Sequence, residues 1–129
     1  MIETGARRIL IIDDATLVRM YYREAIEPHG FIVDEAFNGL EALEKLLIMP
    51  ADLLIVDVNM PKMDGLSFLR TLRRHATSIS AIPALVTSTE GAPHDFAAAR
   101  EAGANFYLVK PIAQKILLGY VLMLCGIPA

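Results

Sequence analysis

Leu53-Leu54-Ile55-Val56-Asp57-Val58-Asn59-Met60-Pro61 is the stretch on which the reading of the fold turns. Four aliphatic residues run into a single carboxylate, and Met60-Pro61-Lys62-Met63-Asp64-Gly65 follows at once as turn chemistry. An unbroken apolar run of this length, rich in branched residues and closed by turn formers, predicts a strand buried on both faces of a parallel sheet. Its one charge falls at the C-terminal end, where open α/β sheets keep their chemistry. Taken alone, Asp57 reads more readily as a turn former or helix cap than as a reactive group. The neighbouring elements change that balance.

Working outward, Arg8-Ile9-Leu10-Ile11-Ile12 repeats the pattern and ends in Asp13-Asp14. Pro83-Ala84-Leu85-Val86-Thr87-Ser88-Thr89 is a further strand ending in hydroxyls, and Asn105-Phe106-Tyr107-Leu108-Val109 ends in Lys110-Pro111. Phe31 to Ala36 is a fifth, short strand. Between them lie helical spacings over Ala15–Ile26, from Asn38-Gly39 to near Pro50, around Leu66–Leu72, over Asp95–Ala102 with Pro93 in the first turn, and over Ile112–Leu124. Residues 1–6 are expected to be a frayed lead-in. Strands alternating with helices predict a parallel sheet covered on both faces, and right-handed crossovers bring every strand's C-terminal end to one rim. Asp13, Asp14, Asp57, Thr87 and Lys110 therefore gather at that rim, from four of five strands.

Composition limits what this rim can serve. A net charge of −3 and the absence of an extended basic stretch argue against nucleic acid, and Arg70 with Arg73-Arg74 reads as the solvated end of a helix. The longest uncharged stretches, near the C-terminus, are too short to span a bilayer. Cys125 is the single cysteine, so no internal disulfide forms, and without a signal peptide a cytoplasmic location is expected. No internal repeat or linker divides the chain.

Three carboxylates with no histidine or cysteine beside them make a hard-oxygen site, suited to Mg²⁺ rather than zinc. His29, His75 and His94 are expected at helix ends or loops, on the surface. An ammonium from Lys110 and a hydroxyl from Thr87 add the donors and the charge neutralisation that phosphoryl transfer needs, with Asp57 as the nucleophile. No Gly-rich nucleotide-binding loop follows a strand.

In this order and at these separations, Ile12-Asp13-Asp14, Asp57 with Met60-Pro61-x-Met63-Asp64-Gly65, Val86-Thr87-Ser88, Ala102-Gly103-Ala104 and Tyr107-x-x-Lys110-Pro111 resemble the receiver domain of two-component response regulators. The likeness runs from Arg8 to about Ile116 and is to the stand-alone, single-domain type found among chemotaxis regulators. It implies a flavodoxin-like (βα)5 sandwich with strand order 2-1-3-4-5, a single receiver domain over 1–129 with its core at 8–124, and no output domain. It implies that Asp57 takes a phosphoryl group from a sensor histidine kinase or phosphotransfer protein. Mg²⁺ is then held by Asp13, Asp14 and Asp57 with the backbone carbonyl of Asn59. Lys110 pairs with a phosphoryl oxygen, the Lys110-Pro111 bond is cis, Thr87 and Tyr107 form the switch, and Asn59 and Thr89 tune the phosphoryl lifetime. On residue types alone, two other readings stand beside this one. A phosphatase of the haloacid-dehalogenase type uses similar groups but carries Asp-x-Asp at its first strand and its acidic pair late in the chain, the reverse of what is found here. A phosphorylation-independent binding module is opposed by the presence of all five key side chains.

The last helix departs from the ordinary pattern by being apolar all round. A wheel that turns Ile116, Leu117, Tyr120, Met123 and Leu124 to the sheet leaves Leu118, Val121, Leu122 and Cys125 outside. The expectation is that the N-terminal segment covers this face, or that it is a homodimer or partner surface shared with the fourth helix and fifth strand, through which a downstream protein target is engaged.

Overall fold

A computed structural model describes residues 7–76 and 78–127; the lead-in expected over 1–6 lies outside the described residues. Five strands, β1 (Arg8–Ile12), β2 (Ile32–Ala36), β3 (Leu53–Asp57), β4 (Ala84–Ser88) and β5 (Phe106–Val109), form one parallel sheet in the order β2-β1-β3-β4-β5. They alternate with α1 (Thr16–Ile26), α2 (Gly39–Ile48), α3 (Gly65–Arg73), α4 (Pro93–Ala102) and α5 (Gln114–Leu124). The flavodoxin-like order is the one expected. Two short 3-10 turns, Glu27–His29 and Ser78–Ala81, were not foreseen. Proline at the start of the first and the lack of any sustained period in the second hid them from a reading built on periodicity.

Side-chain alternation along the strands sorts the core into two layers. Ile9, Ile11, Leu53, Ile55 and Leu85 face α1 and α5, meeting Tyr22, Ile26, Leu117 and Val121. Leu10, Ile12, Leu54, Val56, Ala84 and Val86 face the other way, meeting Ala42 and Leu46 of α2, Phe68, Leu69 and Leu72 of α3, and Ala99 and Ala102 of α4. Every residue of β3 and β4 is buried, which is why their sequences run apolar without alternation. The helix starts are fixed by the residues the sequence offers. Asn38 Oδ1 accepts from the Glu41 amide at 2.8 Å, and Asp64 Oδ1 from the Ser67 amide at 2.9 Å. Gly103 ends α4 in the left-handed conformation, φ 110°.

Two expectations are corrected here. The buried stripe of α5 is Leu117 and Val121, with Leu122, Leu124 and Cys125 half-buried against the same layer; Leu118 is half-buried too. Ile116 and Met123, expected inside, are 53% and 51% exposed. A helix apolar on every side has a period but no phase, so its wheel cannot say which face turns inward. The second correction concerns Arg73. It is not a solvated helix end: its guanidinium donates to the carbonyls of Gly103, Ser80 and Ile82 and to Asn105 Oδ1. Arg70 and Arg74 are exposed as expected. Of the histidines, His29 and His94 are exposed and His75 is half-buried.

Candidate functional site at the sheet edge

The alternation that builds the α1–α5 layer also aligns the polar groups. Positions 9 and 11 of β1 lead to Asp13, 53 and 55 of β3 lead to Asp57, Leu85 of β4 leads to Thr87, and Leu108 of β5 leads to Lys110. All four charged or hydroxyl side chains therefore stand on one face of the sheet at its C-terminal rim. Asp57 and Thr87 are direct register partners.

Lys110 organises this row. Its ammonium donates to Asp57 Oδ1 at 3.0 Å and to Asp13 Oδ2 at 3.1 Å. Asp13 is 1% exposed and Asp57 6%. Burial pushes the Asp57 carboxyl above the ordinary carboxylate range, the Asp13 charge pushes the same way, and Lys110 opposes both. Burial alone would lower the Lys110 pKa, but its bonds to Asp57 and Asp13 outweigh it and hold the ammonium above its ordinary value. Asp13 is fixed from its other side: Oδ1 accepts from the Ala15 amide at 2.9 Å, and its carbonyl accepts from Arg19 Nη1 at 2.6 Å. Arg19 and Arg23 in turn grip Glu35 of β2, and although burial would raise the Glu35 carboxyl, the two guanidinium groups hold it below its usual range. The sequence reading missed Arg19 as a support. A basic residue on the first turns of a helix after two aspartates is the one signal that pointed to it.

Asp13, Asp14 and Asp57 each offer a carboxylate oxygen within 4.8 Å of the others. Asp14 is exposed, so a cation reaches the group from solvent without opening the core. All-oxygen donors with no nitrogen or sulfur among them suit a hard divalent ion such as Mg²⁺.

The loop beyond β3 depends on a close approach. A Cβ at Gly65 would lie 2.2 Å from the Asp57 carbonyl oxygen, so only glycine lets α3 begin this near the strand end. The Gly65 amide donates to the Val58 carbonyl at 2.9 Å. Asn59, two residues past Asp57, is exposed, as is Thr89, one past the end of β4. On the far side of Lys110 the peptide bond to Pro111 is cis. The loop is tied to α1 by Tyr21 Oη donating to the Ile112 carbonyl at 2.7 Å and Gln114 Nε2 donating to the Tyr21 carbonyl at 2.8 Å. A cavity of about 450 Å³ lies beside this tie, bounded by Leu17, Tyr21, Tyr22, Thr89 and Lys110 among others.

Tyr107 lies on the opposite face of the sheet, with the α2–α4 layer. Its ring packs edge-on against Phe96 at 4.8 Å between centroids, and its hydroxyl donates to the Glu90 carbonyl at 2.7 Å. Ser88, beside Thr87, is buried.

The response regulator receiver domain family matches residues 9–122. The chain belongs to that family. It is 38% identical over 111 residues to response regulator MprA of Mycobacterium ulcerans, covering 86% of this chain and 47% of that protein. The chain thus spans about half the length of the curated relatives it matches. Among solved structures it is similar to the chemotaxis response regulator CheY4 of Vibrio cholerae, with TM-score 0.85 and 30% identity over 92% of this chain and 98% of that one. The Francisella response regulator 1452 receiver domain superposes with TM-score 0.86 at 26% identity, over 93% and 97% of the two chains. A receiver domain belongs to two-component signalling and is not a classical enzyme family; this places the chain apart from the phosphatases that share its residue types. Among the described residues no helix is long and apolar enough to cross a membrane.

Proposed function

We propose that this receiver accepts a phosphoryl group on Asp57 from a phosphohistidine of a sensor histidine kinase or phosphotransfer protein, catalysing the transfer itself. The observation that carries the reading is the row of Asp13, Lys110 and Asp57 with Thr87 in register beside the acceptor. An Asp57 carboxylate oxygen forms the new bond to phosphorus, the phosphorus–nitrogen bond breaks, and its electron pair leaves on the imidazole. Lys110 already touches the acceptor oxygen and takes up charge on the phosphoryl oxygens as it arrives, while Thr87 donates its hydroxyl to another. Asp13 and Asp14, with Asp57 and the Asn59 carbonyl, would hold Mg²⁺, which supplies further neutralisation of phosphoryl charge. Asn59 and Thr89 flank the path by which water removes the group, and thereby set its lifetime.

The output is protein–protein contact in the cytoplasm, by a switch pairing Thr87 with Tyr107. The surface proposed is α4-β5-α5, where Phe96, Phe106, Val109, Ile116 and Met123 are exposed. Phe106, Ile116, Gly119 and Met123 border a shallow cavity of about 390 Å³ there. A downstream protein or a second copy of the chain would bury this patch. The residues to test are Ile116 and Met123, not Val121, Leu122 and Cys125, which pack inward, nor Leu118, which is half-buried. Incubation with Mg²⁺ and a small phosphodonor, followed by intact mass, should add one phosphoryl mass to wild type and none to Asp57→Asn. An unmodified wild type overturns the reading.

A further inference from the structure

The peptide between Asp13 and Asp14 stands where the sheet stops, and the groups around it hold it in place. β2 ends at Ala36, whose carbonyl accepts from the Asp13 amide at 3.0 Å. Asp13 Oδ1 is taken by the Ala15 amide and Oδ2 by the Lys110 ammonium, and its carbonyl accepts from Arg19 Nη1 at 2.6 Å. Arg19 is itself fixed. Its side chain is 14% exposed, Nε donates to Glu35 Oε1 at 2.6 Å and Nη2 to Thr16 Oγ1 at 3.3 Å, while Arg23 holds the second Glu35 oxygen at 2.7 Å. We propose that Arg19 is a positioning residue for the metal site: it fixes the Asp13–Asp14 peptide plane so that the Asp14 carboxylate stands beside those of Asp13 and Asp57. This rests on that carboxylate group being the Mg²⁺ site.

The link from carbonyl to carboxylate is covalent geometry. A trans peptide is planar, with the carbonyl of one residue and the amide of the next pointing in opposite directions. Pinning the Asp13 oxygen therefore orients the Asp14 nitrogen, next to the Cα that carries the Asp14 side chain. Asp13 and Asp57 are buried and share Lys110. Asp14 is exposed and lies between β1 and α1, in neither element, yet it offers an oxygen within 4.8 Å of theirs. A guanidinium suits this task because one planar fork spans a carbonyl and a carboxylate at once and loses little freedom for each bond. Charge works the other way: a cation bonded to Asp13 disfavours a second cation beside it. Geometry and electrostatics thus predict opposite signs when Arg19 is neutralised.

The test is a Mg²⁺ titration of the whole chain followed by amide NMR shifts, which report folded molecules only. Arg19→Met should weaken Mg²⁺ about tenfold, as loss of an outer partner of a metal ligand does. Arg23→Met removes the same charge from the same Glu35 but leaves the bond to the Asp13 carbonyl, and should change affinity less than about twofold. Arg19→Lys keeps the charge but loses the planar fork, and should weaken Mg²⁺ about threefold. Affinity at or above the wild-type value in Arg19→Met, as charge alone predicts, overturns the proposal, and so does an equal loss in Arg23→Met. If Arg19→Met does not fold, Arg19→Lys decides, and wild-type affinity there overturns the proposal. Wild type that shows no Mg²⁺ shifts removes the metal site and this inference together; wild type that binds isolates Arg19 as the point under test, whether or not Asp57 accepts a phosphoryl group.

Discussion

Two half-buried cations hold the two ends of this sheet, and they are held in opposite ways. At the C-terminal rim Lys110 lies between the carboxylates of Asp13 and Asp57. At the other end Arg73 reaches no carboxylate among the described residues. Its Nε and Nη2 share the Gly103 carbonyl at 3.0 and 2.7 Å, Nη1 donates to Ser80 and Ile82 at 3.0 and 2.6 Å, and Nη2 also meets Asn105 Oδ1 at 3.3 Å. All five guanidinium protons are used on neutral acceptors, four of them on main-chain carbonyls that have no other way to leave. Arg73 is a fixed fastener of α3, the turn before β4 and the turn before β5. Lys110 has charged partners whose charge changes with protonation, cation binding or modification, so its bonds are exchangeable. A cation meant to stay is surrounded by dipoles; one meant to respond is surrounded by titratable groups.

Loss of the Arg73 guanidinium carries the largest expected cost. Arg73→Met should cost about 3 kcal/mol in urea unfolding, since buried carbonyls lose a charged donor, while Asp57 of the folded protein still accepts a phosphoryl group. A cost below about 1 kcal/mol would mean that water replaces the guanidinium and that no fastener exists. Lys110→Met should cost about 2 kcal/mol at neutral pH by leaving Asp13 and Asp57 facing each other, and Mg²⁺ should restore more stability to this variant than it adds to wild type. If Mg²⁺ stabilises both equally, Lys110 is not the exchangeable partner.

Gly103→Ala tests the fastener from its acceptor side. The added Cβ would stand 2.6 Å from Arg73 Cγ, at a φ of 110° that an alanine resists. A loss of about 1–2 kcal/mol is expected, falling to the backbone cost alone when Arg73 is also shortened to alanine. Asp57→Asn should be the smallest change and the opposite in sign. Because burial and Asp13 raise the folded-state pKa of Asp57, its contribution to stability is fully present below the unfolded-state value and is lost as pH rises through the folded one. Asparagine escapes that loss, so the variant should exceed wild type by about 1 kcal/mol at pH 7, and denaturation at successively lower pH should show the gain disappearing.

What could be read in advance divides along similar lines. The strands and the rim were legible because a run such as Leu53–Val56 ending in Asp57 carries its burial and its polarity in the same few residues. The Lys110 contacts follow from that alone, as two strand ends brought to one face. Arg73 was illegible because its partners are carbonyls, which every residue has. The orientation of α5 was illegible because Ile116, Leu117, Met123 and Val121 are equally apolar.

The two-layer sorting of the core has a consequence for any message passed from Thr87 to Tyr107. Thr87 belongs to the α1–α5 side and Tyr107 to the α4 side, with Val86 as the register partner of Tyr107. The two side chains are separated by the sheet itself, as by a partition with no window. Information crosses such a wall only if the wall moves: a pull on Thr87 from one side must appear on the other as a displacement of the β4 main chain and of the loop at Glu90, whose carbonyl holds the Tyr107 hydroxyl.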